Sequence, residues 1–496
     1  MELSEITRRS IYTCWALWIL VPLKAQNSFS RIVAPDSVTV VASEKFKNPT
    51  VLERFLIGEN YSKVWSTAVK MPVFRLTHTD MKVVELGGGQ QTKSLKLEDH
   101  QGREWSLRTV DKDAAGAIPK VMRGTLVQTI VQESISGSFP YGALVAGSLA
   151  KSVGVVAPDP ELYYVPADAG LGKYQDIFTG KVCFLEEREP TRKKSEKTES
   201  TLEVKEDIFE ANDRLVLQRE VLKARLLDML IADWDRHADQ WRWGIVDSTK
   251  AKYYYAIPKD RDQAFFLAKG LIPRVGKFVG MHHINWFKDE AKGLQWLSYK
   301  SWNFDQLFLN DLDKAQWERT TKEFITRLAD QEIANAVNRL PPEIYALSGK
   351  ELEKKLISRR NSLLTNVMKY YKYISENVQV NGTNEDEIFQ VSGADNGLNI
   401  SVFREGAQGQ KGTKIYERKF KKGETFHIYL MGYNGNDKFL IDTSVNTKIK
   451  VYMYGGEGRD EYIFNGKMRN EIRDFNGKED IISKSSHTKV ALEKGN

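Results

Sequence analysis

The stretch Ile231-Ala-Asp-Trp-Asp235-Arg236-His237-Ala-Asp-Gln240-Trp241 gathers side chains able to do chemistry, and Asp260-Arg-Asp262-Gln-Ala-Phe265 follows it closely. A carboxylate held still at a helix end, as Asp235 would be, suits acceptance of a proton from an attacking hydroxyl. Gln240, five residues on, and Asp262, 27 residues on, are oxygen donors of the kind that Mg²⁺ or Mn²⁺ needs when it bridges phosphates. Arg236 and His237 would orient the loop or offset developing charge. The set suits transfer of a phosphoryl group from ATP or another nucleotide, a reaction that is mostly positioning and charge neutralisation. Taken alone, the Asp-Arg-His tripeptide reads as a helix-capping salt bridge beside a buried histidine; Gln240 and Asp262 shift the reading toward catalysis. Asp233 and Asp260 are of the right type to exchange roles with Asp235 and Asp262.

Gly87, Gly88 and Gly89, followed by Gln90, form a turn whose backbone N–H groups can approach phosphates closely. A cation for those phosphates is expected on the adjacent strand, where Arg108 and Lys112 share one face, with Lys112 preferred. Glu133, in the helix that follows, is a candidate partner for that lysine or else a solvated helix carboxylate.

These residues need particular elements to hold them. Leu86–Leu97 and Trp105–Lys112 alternate as strands around the Asp99-His-Gln-Gly102 turn, which predicts a glycine-headed hairpin. From Val121 to Val155 the period is helical, with Pro140 dividing two helices. The polar segment from Glu189 onward reads as a mobile loop. Asn212 or Asp213 is expected to cap a long helix bearing Leu222, Leu226 and Leu230 and delivering Asp235 at its exit. Trp241–Ile245 and Tyr253–Ile257 then return as a hairpin that brings Asp262 back beside the helix end. Residues 304–377 are helical again, and after Val378 the composition changes to strands and glycine turns.

At 496 residues, with 41% hydrophobic content, the chain is long enough for two or three folded domains. Arg8 and Arg9 precede an apolar run from Ile11 to Leu23, which predicts a cleaved signal peptide over residues 1–25 and a chain exported to the periplasm or the cell surface. Nothing later approaches the length of a membrane span. Cys183 is then the one cysteine left, so no internal disulfide is expected. The formal charge of +7 comes from interspersed charges, without a basic stripe for nucleic acid. His282-His283 has no companion ligands at metal spacing and reads as structural.

The tail holds Gly432-Tyr-Asn-Gly-Asn-Asp437, Gly455-Gly-Glu-Gly-Arg-Asp460 and Ile472-Arg-Asp474, which resemble the calcium-binding nonapeptide repeats of RTX proteins. That resemblance implies Ca²⁺ at Asp437 and Asp460; the alternative is a β-sandwich with Gly-Asp turns.

Leu227-Asp-Met-Leu-Ile231, Asp235-Arg-His237 and Asp260-Arg-Asp262-Gln-Ala-Phe265 resemble atypical kinases that include the secreted casein kinase of the Golgi, HipA-type kinases, spore-coat CotH kinases and phosphoinositide kinases. The resemblance covers roughly residues 80–270. It implies a catalytic aspartate at Asp235, metal ligands at Gln240 and Asp262, and a hinge at Val182–Glu187. Gln240 departs from the commoner Asn or acidic ligand. A wider stretch, from Arg54 to Trp243, is similar to central segments of large Gram-negative surface proteins.

The expected fold is therefore α+β: a two-lobed protein-kinase-like domain followed by a small all-β domain. Its parts would be residues 1–25 (signal peptide), 26–190 (N-terminal lobe), 191–207 (mobile loop), 208–377 (mostly helical C-terminal lobe) and 378–496 (all-β domain). The expected activity is modification of a hydroxyl on a protein, peptide or envelope component. The rival is a catalytically inactive pseudokinase-like surface module that binds partners.

Overall fold

A computed structural model describes residues 36–88, 92–113, 126–193, 196–278, 286–465, 467–475, 480–483 and 486–493. The expected signal peptide, Gly89, Gln90 and His282-His283 lie outside these.

The first lobe is built on a sheet of β1 (Lys82–Gly87), β2 (Ser94–Glu98), β3 (Glu104–Thr109), β4 (Glu161–Val165) and β5 (Lys181–Glu187). Its order is β1-β2-β3-β5-β4, antiparallel throughout. Alternation explains the two faces: Leu95, Leu97, Leu107, Cys183 and Leu185 pack together on one side, while Val182 and Phe184 join the main core on the other. The strand carrying Arg108 ends at Thr109, so Lys112 lies beyond it, unlike the longer strand expected. Helices Leu126–Ser134 and Gly142–Val153 flank Pro140. Val182–Glu187 is strand, paired on both sides over Cys183–Leu185 and with β3 alone at Glu186 and Glu187, so the chain leaves the sheet only after the expected hinge.

The helical lobe centres on α1 (Gln218–Ile231), in which Val221, Leu222, Leu226, Leu227 and Leu230 are buried. Neither Asn212 nor Asp213 caps it. Arg214–Val216 forms a strand paired with Lys252–Tyr254, and the Asn212 amide donates to the Glu387 carboxylate at 2.9 Å. β6 (Trp241–Asp247) and β7 (Lys252–Pro258) make the expected hairpin. The loop predicted over 191–207 is corrected in its second half: Glu199–Ser200 pairs with Arg242–Trp243, and Thr201–Glu210 is a helix with a Ser200/Glu203 capping box. Five helices from Trp302 to Ser375 complete the lobe, the last being α2 (Lys350–Ser375).

The C-terminal domain is a parallel coil. Asn377–Asn381, His427–Asn434, Lys450–Glu457, Asn470–Phe475 and Thr488–Glu493 form one parallel sheet. Glu387–Ala394, Lys438–Ile441, Glu461–Phe464 and Asp480–Ser483 run parallel in the facing sheet, extended by the antiparallel strands Gly397–Glu405 and Lys411–Lys421. The chain alternates between sheets, and Val380, Phe389, Leu430, Phe439, Met453 and Tyr462 fill the space between them. In the turns, Glu387, Asp437 and Asp460 occupy one aligned, buried column. Asp437 Oδ1 accepts the Glu387 N–H and Asp460 Oδ1 accepts the Asp437 N–H, each at 2.9 Å. The two aspartates expected as calcium ligands thus cap the adjoining rung's backbone. This domain joins the helical lobe through Arg418 Nη1 to the Asn310 carbonyl at 2.6 Å and Asn384 N–H to the Phe209 carbonyl at 2.8 Å.

Candidate active site

α1 ends at Ala232, whose left-handed conformation (φ +55°) sends its N–H back to the Asp228 carbonyl. A non-glycine residue in this region costs on the order of 1–3 kcal/mol. The abrupt exit turns Asp233–His237 back over the hairpin, and the loop after β7 meets it there. Phe265 N–H donates to the Ile231 carbonyl at 2.8 Å, and Lys259 N–H to the Gln240 carbonyl at 2.9 Å. Asp235 and Asp262 are therefore carried by two loops hydrogen-bonded to one helix end.

Arg236 clamps that junction. Its buried guanidinium lies 2.9 Å from Asp233 Oδ2 and 3.2 Å from Asp228 Oδ2, and donates to the carbonyls of Gln240 and Lys259. Asp228 also pairs with Arg225 at 2.9 Å and Arg261 at 2.8 Å. Burial disfavours its charge, but the three guanidinium groups hold its carboxyl below the usual carboxylate range. Arg236 is thus buried in ion pairs with Asp228 and Asp233 and not with Asp235, its neighbour in the tripeptide.

The remaining members of the first motif separate. Asp235 is half-buried and ion-paired with Lys300, whose ammonium also sits 5.2 Å from the centre of the Trp234 ring. Lys300 belongs to the turn Tyr299–Ser301, held in place because Ser301 Oγ donates to the Arg236 carbonyl at 2.7 Å. Sequence reasoning missed this lysine, and no spacing signal marks it. His237 faces outward, its Nδ1 3.6 Å from the exposed Asp239, with no bond to Asp235 or Asp262. Gln240 is buried, and its Oε1 has no hydrogen-bond partner among the described residues.

Asp262 is where the two lobes meet. Arg108 Nη1 pairs with its Oδ1, and Lys112 Nζ lies 3.4 Å from its Oδ2. Burial opposes the charge on Asp262, but Arg108 and then Lys112 outweigh it and keep the carboxyl well below its ordinary value. Arg108 also approaches Glu186 at 3.5 Å and Asp260 at 3.8 Å. Both cations weighed from the sequence therefore reach the same carboxylate. Glu133 does not join them: it is half-buried, and burial together with the charge of Glu53 raises its carboxyl. Lys112 is touched from that helix by Gln132 instead, through its carbonyl at 3.3 Å. Gly88, at φ +122°, makes the tight turn after Gly87 at the end of β1; a Cβ there would meet the Thr92 carbonyl oxygen at 2.6 Å.

The residues expected to hold Mg²⁺ or Mn²⁺ do not fit a divalent ion in this arrangement. Both Asp262 oxygens face cations, Gln240 contributes an uncharged oxygen, and Asp235 is paired with Lys300. Among the described residues, no group of three or more His, Cys, Asp or Glu side chains could hold a metal, which applies equally to the calcium expected at Asp437 and Asp460. No described helix is long and apolar enough to cross a membrane.

The sheet, the helical lobe, and an Asp-Arg-His loop set between α1 and a hairpin make a two-lobed α+β fold followed by an all-β domain. No protein-family model matches the sequence, and no curated protein matches it. The chain is similar in structure to the Helicobacter pylori proinflammatory kinase CtkA, at 9% identity and TM-score 0.30 over 56% of this chain and 94% of that one. It is similar to Shewanella oneidensis MR-1 HipA, solved with HipB and its operator DNA, at 12% identity and TM-score 0.31 over 60% of this chain and 75% of that one. It is also similar to the Chaetomium thermophilum Rio2 kinase, solved as an ADP/Mg²⁺-phosphoaspartate complex, at 13% identity and TM-score 0.27 over 58% of this chain and 72% of that one.

Proposed function

We propose that the protein is an exported kinase-like phosphotransferase acting on a hydroxyl of a protein, peptide or envelope component. The observation that supports this reading is that Asp235 and Asp262 are carried on loops hydrogen-bonded to the end of α1, with the cations Arg108 and Lys112 paired to Asp262. In the proposed reaction the acceptor oxygen bonds to the terminal phosphorus of the nucleotide, the bridging P–O bond breaks, and nucleoside diphosphate leaves. Asp235 takes the hydroxyl proton, while Arg108 and Lys112 face the phosphates. Labelled terminal phosphate should enter a protein or envelope fraction with the wild type and not with Asp235→Asn.

A second reading, a silent binding module, has its own support. The space beside Asp262, bounded by Arg108, Lys112, Phe139 and Phe184, is about 10 Å³, room for about one water and far too little for a nucleotide. A nucleotide then requires these side chains to part. Thermal shift separates the readings: no stabilisation by nucleotide, or equal stabilisation of wild type and Asp262→Ala, favours the silent module.

A further inference from the structure

We propose that the cleft takes the polyphosphate of a nucleotide without a divalent cation, with Arg108 and Lys112 standing where a metal would otherwise face Asp262. This rests on the nucleotide reading above and goes beyond it.

The charges at Asp262 carry the argument. A bridging metal works by sitting between an acidic protein ligand and the phosphate oxygens. Here that position beside the acid is held by two side-chain cations, Arg108 at Oδ1 and Lys112 at Oδ2. Neither is a loose surface charge: their side chains are 11% and 7% exposed. Arg108 leaves the end of β3 and is fixed from two further sides by Glu186 and Asp260, and it lies 5.9 Å from the centre of the Phe184 ring. An incoming divalent ion would meet two like charges at Asp262, while the neighbouring carboxylates Asp260 and Glu186 already face Arg108, and its second expected ligand, Gln240, brings no negative charge to offset them.

The same arrangement suits phosphate directly. A guanidinium has five N–H donors in a planar fork. The Nη1 and Nη2 contacts of Arg108 with Asp262 and Glu186 leave donors for phosphate oxygens. Lys112 adds a compact charge next to it, and Lys300 supplies a third at Asp235, on the acceptor side. Once the side chains around this space part to admit a nucleotide, these cations replace the mobile one, with Asp262 and Glu186 as the groups that orient Arg108.

The test uses the full chain and thermal-shift measurements with ATP and with ADP, in EDTA and in excess Mg²⁺ or Mn²⁺. Stabilisation of the same size in EDTA as with metal is the expected result. The EDTA shift should be lost in Arg108→Gln and partly kept in Arg108→Lys. If Arg108→Gln melts too early to read, Lys112→Gln should weaken the same shift by several-fold in apparent affinity. Stabilisation seen only with metal overturns the inference and leaves the phosphotransferase reading standing. So does a shift caused by Mn²⁺ alone that disappears in Asp262→Asn. No nucleotide shift under either condition overturns the inference and the nucleotide reading together.

Discussion

Arg236 places its Nε 3.2 Å from Oδ2 of Asp228, with both side chains buried. The pair lies inside a larger network in which Arg225 and Arg261 share Asp228, and Arg225 reaches Asp305 at 2.8 Å. The arginine of the Asp-Arg-His motif is therefore committed to holding two loops together. Removing it would leave Asp228 and Asp233 with less compensation and free the carbonyls of Gln240 and Lys259. Arg236→Met is expected to destabilise by about 3–5 kcal/mol, the cost of breaking a buried ion pair from one side. Urea denaturation measures this. A variant with wild-type stability and lost activity would place Arg236 in the chemistry instead.

Asp235 should behave in the opposite way. It is half-buried and makes one ion pair at the cleft, so Asp235→Asn is expected to change stability by under about 1 kcal/mol. As the acceptor of the hydroxyl proton, its loss should reduce phosphate incorporation by roughly 10²–10⁴-fold. Nucleotide-induced thermal shifts should persist in the same variant. Activity within a few-fold of wild type would remove Asp235 from the role of base.

The helix and hairpin that hold these aspartates were legible in the sequence because they have clean periods: apolar stripes along α1, and alternation through Trp241–Ile245 and Tyr253–Ile257. Lys300 was not, since its place beside Asp235 comes from tertiary packing across 65 residues. The helix Thr201–Glu210 was hidden because only Thr201 and Val204 on it are buried while Leu202 is exposed, leaving little stripe to read. Asn212 has the right side chain for a cap, but Glu387 of the β domain takes its amide. The tail's glycines and aspartates announced turns, yet not the parallel register, which pairs His427 with Lys450 across a whole rung.

That register gives the tail's glycines a specific role. Gly432 and Gly455 are aligned on neighbouring strands, and a Cβ on either would run into the carboxylate five residues later, Asp437 or Asp460. Gly455→Ala is expected to cost about 1–3 kcal/mol through overpacking. Hydrogen exchange should show the loss confined to residues 427–475, with α1 and the hairpin unaffected. Uniform loosening of the whole chain would mean that the two domains unfold as one unit.

The carboxylate column also sets a pH dependence. Burial raises the Asp437 carboxyl well above its ordinary value, and the charge of Glu387 adds to this; Asp460 and Asp386 face the same group. Its Oδ1 accepts the Glu387 N–H, while its Oδ2 is buried without a hydrogen-bond partner among the described residues. A raised folded-state value means that the neutral acid is favoured in the fold. Its contribution is fully present below the unfolded value of about 3.9 and is lost as pH rises through the folded one. Asp437→Asn keeps an oxygen for the Glu387 N–H and removes the titration. As pH rises above the unfolded value of about 3.9, the wild-type melting temperature of the β domain should fall more steeply than that of the variant. Parallel curves would show that Asp437 does not titrate within the fold as the pH rises, leaving Glu387 and Asp460 as the other buried carboxyls of the column, to be examined by Glu387→Gln and Asp460→Asn.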